Sequence, residues 1–513
     1  MKKLTRILVF ALALCLLATS AVAEENPKLT ALVAKYPIVG DWNTNPAAML
    51  LSERTGVDVE WEVVADASFL EKRNLLFGSN DLPDIIVRAK LSATDEAKYA
   101  ANGQLYPLDT LLEYAPNFSA LLEKFPAIGK NITSPDGHIY SLPQLNTTEG
   151  NLVNKYWINK TWLDKLGLEM PKTTDELTEV LRAFVNNDPN GNGQKDELGL
   201  CFQGKDNLMD GVDRFYGAFG IGKNNGVIDK YFHVNDEGKV ELFASTENFR
   251  LLLTWLNQLW TEGLIDKDSF SQDLTAVAAK AGLDQVGFAT NGNNYQWLGT
   301  VKENFVQPPI IAGPNGDAVW TSMRGFVQTT GVACITTACK NPEVAMKYLD
   351  YYYSEPGTVA IRMGIEGESY YVDENGKYQL FDHIKNDPTG LSLDEAVSKY
   401  ALYCGGNVPQ YITDEVDQSA AQLPETKAAN ETLSSGMLDF NVIPNLLFTE
   451  DEVIAMSRYS VDLIAFVEEN LVNFVTGERD LAEFDAYVQE LSRLDLEGCL
   501  EIYQAAFDRW NAA

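Results

Sequence analysis

The chain of 513 residues carries 40 lysines and arginines against 73 aspartates and glutamates, a formal charge of −33. A surface this acidic argues against nucleic acid or anionic lipid as partners and suits a neutral ligand better than an anionic one. The 45% hydrophobic content is that of a globular protein, and the length suits two or three domains.

From the N-terminus, Lys2, Lys3 and Arg6 precede an apolar run from Ile7 to Ala18, and Ala21-Val22-Ala23 stands before Glu24. This is the pattern of a secretory signal over residues 1–23, cleaved after Ala23. The apolar run is too short for a full membrane span. Cys15 raises the question of a lipid anchor, but Leu14 fills the place where a bacterial lipobox needs a small residue. The expectation is a secreted protein at the cell surface or in the periplasm, without lipid at Cys15. Losing the three basic residues of the signal leaves 37 against 73, a net of −36. Cys201, Cys334, Cys339, Cys404 and Cys499 then remain, an odd number with no CxxC pair. Buried free thiols are expected, with one bridge left open. His138, His233 and His383 are scattered without an HExxH, which gives no support to a transition-metal site.

The next segment alternates. Leu29–Val33 reads as a strand, Pro46–Arg54 as a helix, Val57–Val64 as a strand, Ser68–Phe77 as a helix and Asp84–Val87 as a short buried strand. A βαβαβ order implies a parallel sheet with helices on both faces. Ligands of such sheets bind beyond the carboxyl ends of the strands, which points to Gly40-Asp41-Trp42-Asn43. Turn signals follow at Asp136-Gly137, Asp236-Glu237-Gly238 and Asn375-Gly376.

Between Trp157 and Leu200 the pattern is sharpest. Leu177, Val180, Leu181, Phe184 and Val185 form one apolar stripe at helical spacing, and Thr173 with Glu176 has the spacing of a capping box. The loop after Asn187 places Asp188, Asn190, Asn192 and Asp196 at positions 1, 3, 5 and 9, with Gly193 at position 6. Those side chains and the backbone carbonyl of Gln194 can converge on a hard cation, calcium, in a structural role. The twelfth position is Gly199 rather than glutamate, and Glu197 is the available substitute. The same composition also makes an ordinary surface turn.

The segments LLFGSNDLPDIIV, NGQLYPLDTLLEYAPNF, PDGHIYSLPQ, YWINKTWLDKLGLEMPKTTDELTEVLRAFVNNDPNGNGQKDE and LNQLWTEGLIDKDSF occur in one order. Over essentially the whole mature chain they resemble the large extracellular solute-binding proteins of bacterial carbohydrate importers. Those are the capture components of ABC transporters, and the branch most like this chain contains lipoproteins and alginate-oligosaccharide binders. The resemblance implies a two-lobed α/β binding-protein fold of the second type, each lobe a mostly parallel sheet flanked by helices, with extra C-terminal helices. It implies residues 24–148 plus 290–330 in an N-terminal lobe, and 149–289 plus 331–513 in a C-terminal lobe with the calcium loop 188–197. It also implies that Asp188, Asn190, Asn192, Gln194, Asp196 and Glu197 match the family's calcium loop. Many relatives have a lipobox, which this chain lacks.

On that plan Glu247–Thr261 and Thr275–Ala281 are helices, and Val286–Thr290 is a crossover strand leading to Asn291–Trp297. Phe326–Ile335 is the return crossover. Sugar rings stack their C–H faces on aromatic side chains while hydroxyls need planar polar partners. The expected ligand-binding residues are therefore Asp41, Trp42, Asn43, Arg214, Tyr216, Asn294, Tyr295, Trp297, Trp320 and Arg324. The expected function is capture of an oligosaccharide by a monomer, without catalysis, and its delivery to ABC permease subunits. Two alternatives are a secreted polysaccharide-degrading enzyme using paired carboxylates and a sugar sensor partnering a receptor kinase.

Overall fold

The computed structural model describes residues 26–513 apart from 149–154, 206–207, 224–227, 229–230, 291–298, 322–324, 392, 403–406, 417–423, 435–445, 458–459 and 513. The signal segment with Cys15, and Cys404, lie outside the described residues. Among those described, Cys201, Cys334, Cys339 and Cys499 are buried free thiols, and no helix is long and apolar enough to cross a membrane.

The βαβαβ start forms as expected. Strand β1 (Lys28–Lys35) pairs in parallel with β2 (Asp58–Ala65) and with β3 (Ile85–Val87). The helix Pro46–Thr55 between β1 and β2 starts on Asn45, whose side chain accepts from the Ala47 N–H, and ends on Gly56 at φ 65°. A left-handed residue there costs a glycine little. The helix Asp66–Ser79 joins β2 to β3. β4 (Leu142–Asn146) joins the same sheet, while β5 (Trp157–Asn159), β6 (Leu198–Cys201) and β9 (Val286–Ala289) join a second one. β7 (Phe232–Val234) and β8 (Val240–Leu242) form the hairpin signalled at 236–238. β10 (Phe305–Val306) completes the second sheet, in the order β10-β5-β9-β6. β11 (Val327–Ile335) and β14 (Gln410–Ile412) return to the first, in the order β14-β4-β11-β3-β1-β2. β12 (Tyr370–Val372) and β13 (Tyr378–Leu380) form the hairpin around 375–376.

Each sheet has its own core, and the cores divide the chain differently from the expected partition. Ala333, Ile335 and buried residues from Cys339 to Val416 pack with β1 and β3, so 331–416 sits with the first sheet. β10, Ile311 and Trp320 belong with the second sheet, as do the C-terminal helices through Leu463, Tyr487 and Ala506. The expected order held only where neighbours in sequence pair with one another. Long-range strand partners carry no local signature.

Glu96, on the helix Ala93–Ala101, is 3% exposed and accepts from Ser141 Oγ at 2.6 Å. Burial pushes its carboxyl from the ordinary range up to about 7. The folded chain therefore holds this proton more tightly than the unfolded chain. The linked stability is fully present below the unfolded carboxyl's pKa near 4.3 and is lost as pH rises to about 7, amounting to roughly 3 kcal/mol. Glu96→Gln should flatten the pH dependence of the urea midpoint between pH 5 and 7; an unchanged slope would show that Glu96 titrates normally.

Candidate ligand cleft and cation loop

β1, β2, β3, β4 and β14 run in one direction and β11 opposes them, so their carboxyl ends share one edge. The chain leaves this edge at Asn146 to enter β5, and returns from Val306 to Val327. β5 opposes β9 and β10, so both crossings attach to the carboxyl edge of β9 and β10. Both crossings thus attach at carboxyl edges, the ends where open α/β sheets bind ligands.

On the first edge, Tyr36 follows β1, Asp66 follows β2, and Arg88 and Lys90 follow β3. With Thr329 and Thr330 they line a cavity of about 90 Å³. Arg88 and Lys90 are non-glycine residues at φ 53° and 50°, a conformation that costs on the order of 1–3 kcal/mol each and persists only where the surroundings impose it. Here they do. Arg73, 2% exposed, donates to the Ala89 carbonyl at 2.8 Å and to the Lys90 carbonyl, and pairs with Asp95 at 2.8 Å. The Ala89 and Leu91 N–H groups donate to Val332 and Gly331 carbonyls at 2.8 and 3.0 Å. A Cβ on Gly331, at φ +65°, would lie 2.0 Å from the Leu91 carbonyl oxygen, so only glycine lets the strand approach. Arg88 donates to the Leu402 carbonyl at 2.6 Å and lies over Tyr36 and Trp42. Lys90 Nζ pairs with Asp66 Oδ1 at 2.6 Å.

On the second edge, Lys155 precedes β5, fully buried, and burial brings its ammonium down to about 7. Thr290, directly after β9, donates to the Gly211 carbonyl at 2.6 Å, two residues before the turn Asp213–Phe219.

Of the expected ligand residues, those described do not line this cavity. Trp42 is 0% exposed, edge-on to Trp61 at 4.7 Å. Asp41 accepts from the Asn43 N–H at 2.9 Å, and Asn43 bonds the Trp61 backbone in both directions. Gly40–Asn43 is thus a hydrogen-bonded turn in which Trp42 is buried behind Arg88 while Gly40, Asp41 and Asn43 are exposed. Tyr216 packs on Phe243 at 4.7 Å and Trp320 edge-on to Tyr156 at 5.1 Å, both inside the second core. Arg214 is buried against Asp213. For Trp42, Tyr216 and Trp320 the correction has one cause: aromatic rings bury more apolar area than any other side chains, and core packing claimed them. Asn294, Tyr295, Trp297 and Arg324 lie outside the described residues. Sequence reasoning does not single out Tyr36, Asp66, Arg88 and Lys90, which line the cavity, although the carboxyl-end rule points to them. It applies to the residues directly after every parallel strand, not four residues beyond the first.

The loop at 188–197 sits at the opposite end of β6. The helix Thr174–Asn186 leads into it, with the Thr173 side chain accepting from the Glu176 N–H. Asp188 accepts from the N–H groups of Gly191, Asn192 and Gly193 at 2.8, 3.0 and 3.0 Å, and Gly193 takes φ 73°. Asn190 and Asn192 donate their amides to Asp196 at 3.2 and 3.1 Å, and Gln285 donates to its other oxygen at 2.8 Å. Glu197 is 6% exposed, and neither carboxylate oxygen has a hydrogen-bond partner among the described residues. Burial raises its pKa. In this arrangement no three Asp, Glu, His or Cys side chains among the described residues gather as a cation site. The donor set nonetheless fits calcium. Its ligands are oxygens, the turn is glycine-framed, and a buried carboxylate lacking donors is stabilised by a cation.

The family described as bacterial extracellular solute-binding protein matches residues 26–359. The chain is 31% identical over 510 residues, 95% of its length and 91% of the relative's, to the fructooligosaccharide ABC transporter substrate-binding protein FusA of Streptococcus pneumoniae. The solved structure of FusA in complex with kestose superposes with a TM-score of 0.81 at 29% identity, covering 94% of this chain and 99% of that one. A FusA EF-hand mutant in complex with fructo-nystose gives a TM-score of 0.80 at 28% identity, with the same coverage.

Proposed function

The chain belongs to the bacterial extracellular solute-binding proteins, and from that premise we propose that it captures an oligosaccharide in the cleft between two lobes and delivers it to the permease of an ABC importer. The likeness to FusA over 95% of the chain carries the reading. The cavity at the carboxyl edge of the first sheet supports it, being placed where such folds bind ligands. We read the lobes as residues 26–146 with 327–416, and 155–321 with 424–512, following the two cores. They close by hinge rotation about the crossings.

The capturing groups we assign are the side chains of Tyr36, Asp66, Lys90, Thr329 and Thr330, which offer hydrogen bonds to sugar hydroxyls while Arg88 holds the pocket wall. We read the chain as acting by capture, as a monomer and without a catalytic role. Calcium at Asp188, Asn190, Asn192, the Gln194 carbonyl, Asp196 and Glu197 supplies fixed positive charge that ties the helix Thr174–Asn186 to β6. Asn190 and Asn192 must turn their amides for this.

A thermal-shift screen of the mature chain against oligosaccharides of graded length and charge tests the reading. A ligand that binds only the native state stabilises it by about 2.7 kcal/mol at one hundred times its Kd. A shift with the sugar recovered intact is expected. A sugar consumed during the assay points to the enzyme alternative, and no shift with any sugar refutes the carbohydrate assignment.

A further inference from the structure

On the reading of the cleft given above, we infer that the Asp66–Lys90 ion pair sets the charge specificity of the site, restricting it to uncharged oligosaccharides, and that removing the Asp66 carboxylate admits acidic ones. Among the described residues lining the cavity, three are charged: Asp66, Arg88 and Lys90. Arg88 is 2% exposed and committed to the Leu402 carbonyl and to the Tyr36 and Trp42 rings. Lys90 is the cation that reaches solvent, its side chain 37% exposed, and its ammonium is held by Asp66 at 2.6 Å.

A uronate entering this cavity therefore meets Lys90 already neutralised and the Asp66 carboxylate beside it. Its own carboxylate loses water without gaining a cation, and the repulsion discriminates against it. The acidic surface of the whole chain adds to the same bias. A neutral sugar escapes both penalties, because the paired ions still donate and accept hydrogen bonds toward hydroxyls.

The geometry that fixes the pair is specific. Asp66 opens the helix after β2, while Lys90 is held in its left-handed conformation by Arg73. The backbone is thus fixed at both residues, which keeps the two side chains within reach of each other.

Isothermal titration at low ionic strength tests the inference, using kestose, maltotriose and cellotriose as neutral probes and trigalacturonate as the acidic one. The wild type should bind at least one neutral trisaccharide tenfold or more tighter than trigalacturonate. Asp66→Asn should shift that ratio toward trigalacturonate by roughly tenfold, with the gain abolished by 1 M salt. Adding Lys90→Gln should remove the gain, assigning it to the freed ammonium. Melting temperatures of each variant establish that all are folded. A wild type that prefers trigalacturonate, or an Asp66→Asn ratio that does not move, overturns the charge inference while leaving oligosaccharide capture intact. Neutral and acidic hits of the thermal-shift screen above extend the probe set, and a screen without any hit refutes the capture reading and this inference with it.

Discussion

Arg73→Met is expected to lower the stability of the chain by about 3 kcal/mol and to weaken oligosaccharide binding at least tenfold in the fraction that remains folded. The guanidinium is 2% exposed and serves two carbonyls, Asn74 and Asp95 at once. Methionine fills a similar volume but supplies none of those donors. The Ala89 and Lys90 carbonyls are left without them, and Asp95 loses its counter-ion. The figure lies at the low end for a broken ion pair because the Asp95 side chain is 26% exposed and water can partly replace the arginine. The loss of binding has a separate origin. Arg88 and Lys90 take positive φ because Arg73 grips the carbonyls between and after them, and once released they relax to ordinary dihedrals, moving both cations off the cavity. Arg73→Lys keeps the charge but cannot span the carbonyls and Asp95 together, so binding should stay impaired while stability partly recovers. Urea unfolding gives the first effect and calorimetric titration the second. An Arg73→Met protein with an unaltered urea midpoint would refute the account of the strained turn.

The second large effect concerns calcium. Adding it in hundredfold excess over its Kd should stabilise the wild type by about 2.7 kcal/mol, and chelation should remove that increment. Glu197→Gln reverses the order of the two proteins. Without calcium the buried Glu197 carboxylate is unpaired among the described residues and burial raises its pKa. The native state therefore holds that proton more tightly than the unfolded chain does, so its stability is greatest below the unfolded carboxyl's pKa and falls as pH rises through the raised one. At pH 7 the chelated glutamine variant should melt above the chelated wild type, since an amide carries no charge to bury. With calcium present the wild type should melt higher, because glutamine offers the cation a weaker, neutral ligand. Melting curves of both proteins with and without chelator decide it; an equal calcium shift in the two would exclude Glu197 from the site.

Much of this molecule was legible locally. The strand and helix order from β1 to β3, the Thr173 cap with the apolar stripe behind it, and the hairpins at 236–238 and 375–376 all follow from spacings within a few residues. Periodicity and capping act over that range, so one sequence suffices to read them. The oxygen-rich loop after Asn187 was legible for the same reason, its donors being consecutive in the chain.

The cleft was not, and the tryptophans show why. Trp42 and Trp320 look in sequence like any ring flanked by polar residues, and what decides between ligand and core is whether another segment covers them. Trp61 and Arg88 cover the first, and Tyr156 packs against the second. Pairing of β11 and β14 with β4 is equally non-local, and it moved residues 331–416 to the first sheet. Lys90 and Asp66 stand 24 residues apart, and only the parallel register of β1, β2 and β3 sets them side by side. The sequence by itself determined the local elements and the oxygen-rich loop at 188–197, because each depends on neighbours along the chain. Which rings are buried, which strands meet and which charges line the cavity were decided by tertiary structure, since those depend on contacts that spacing along the chain does not encode.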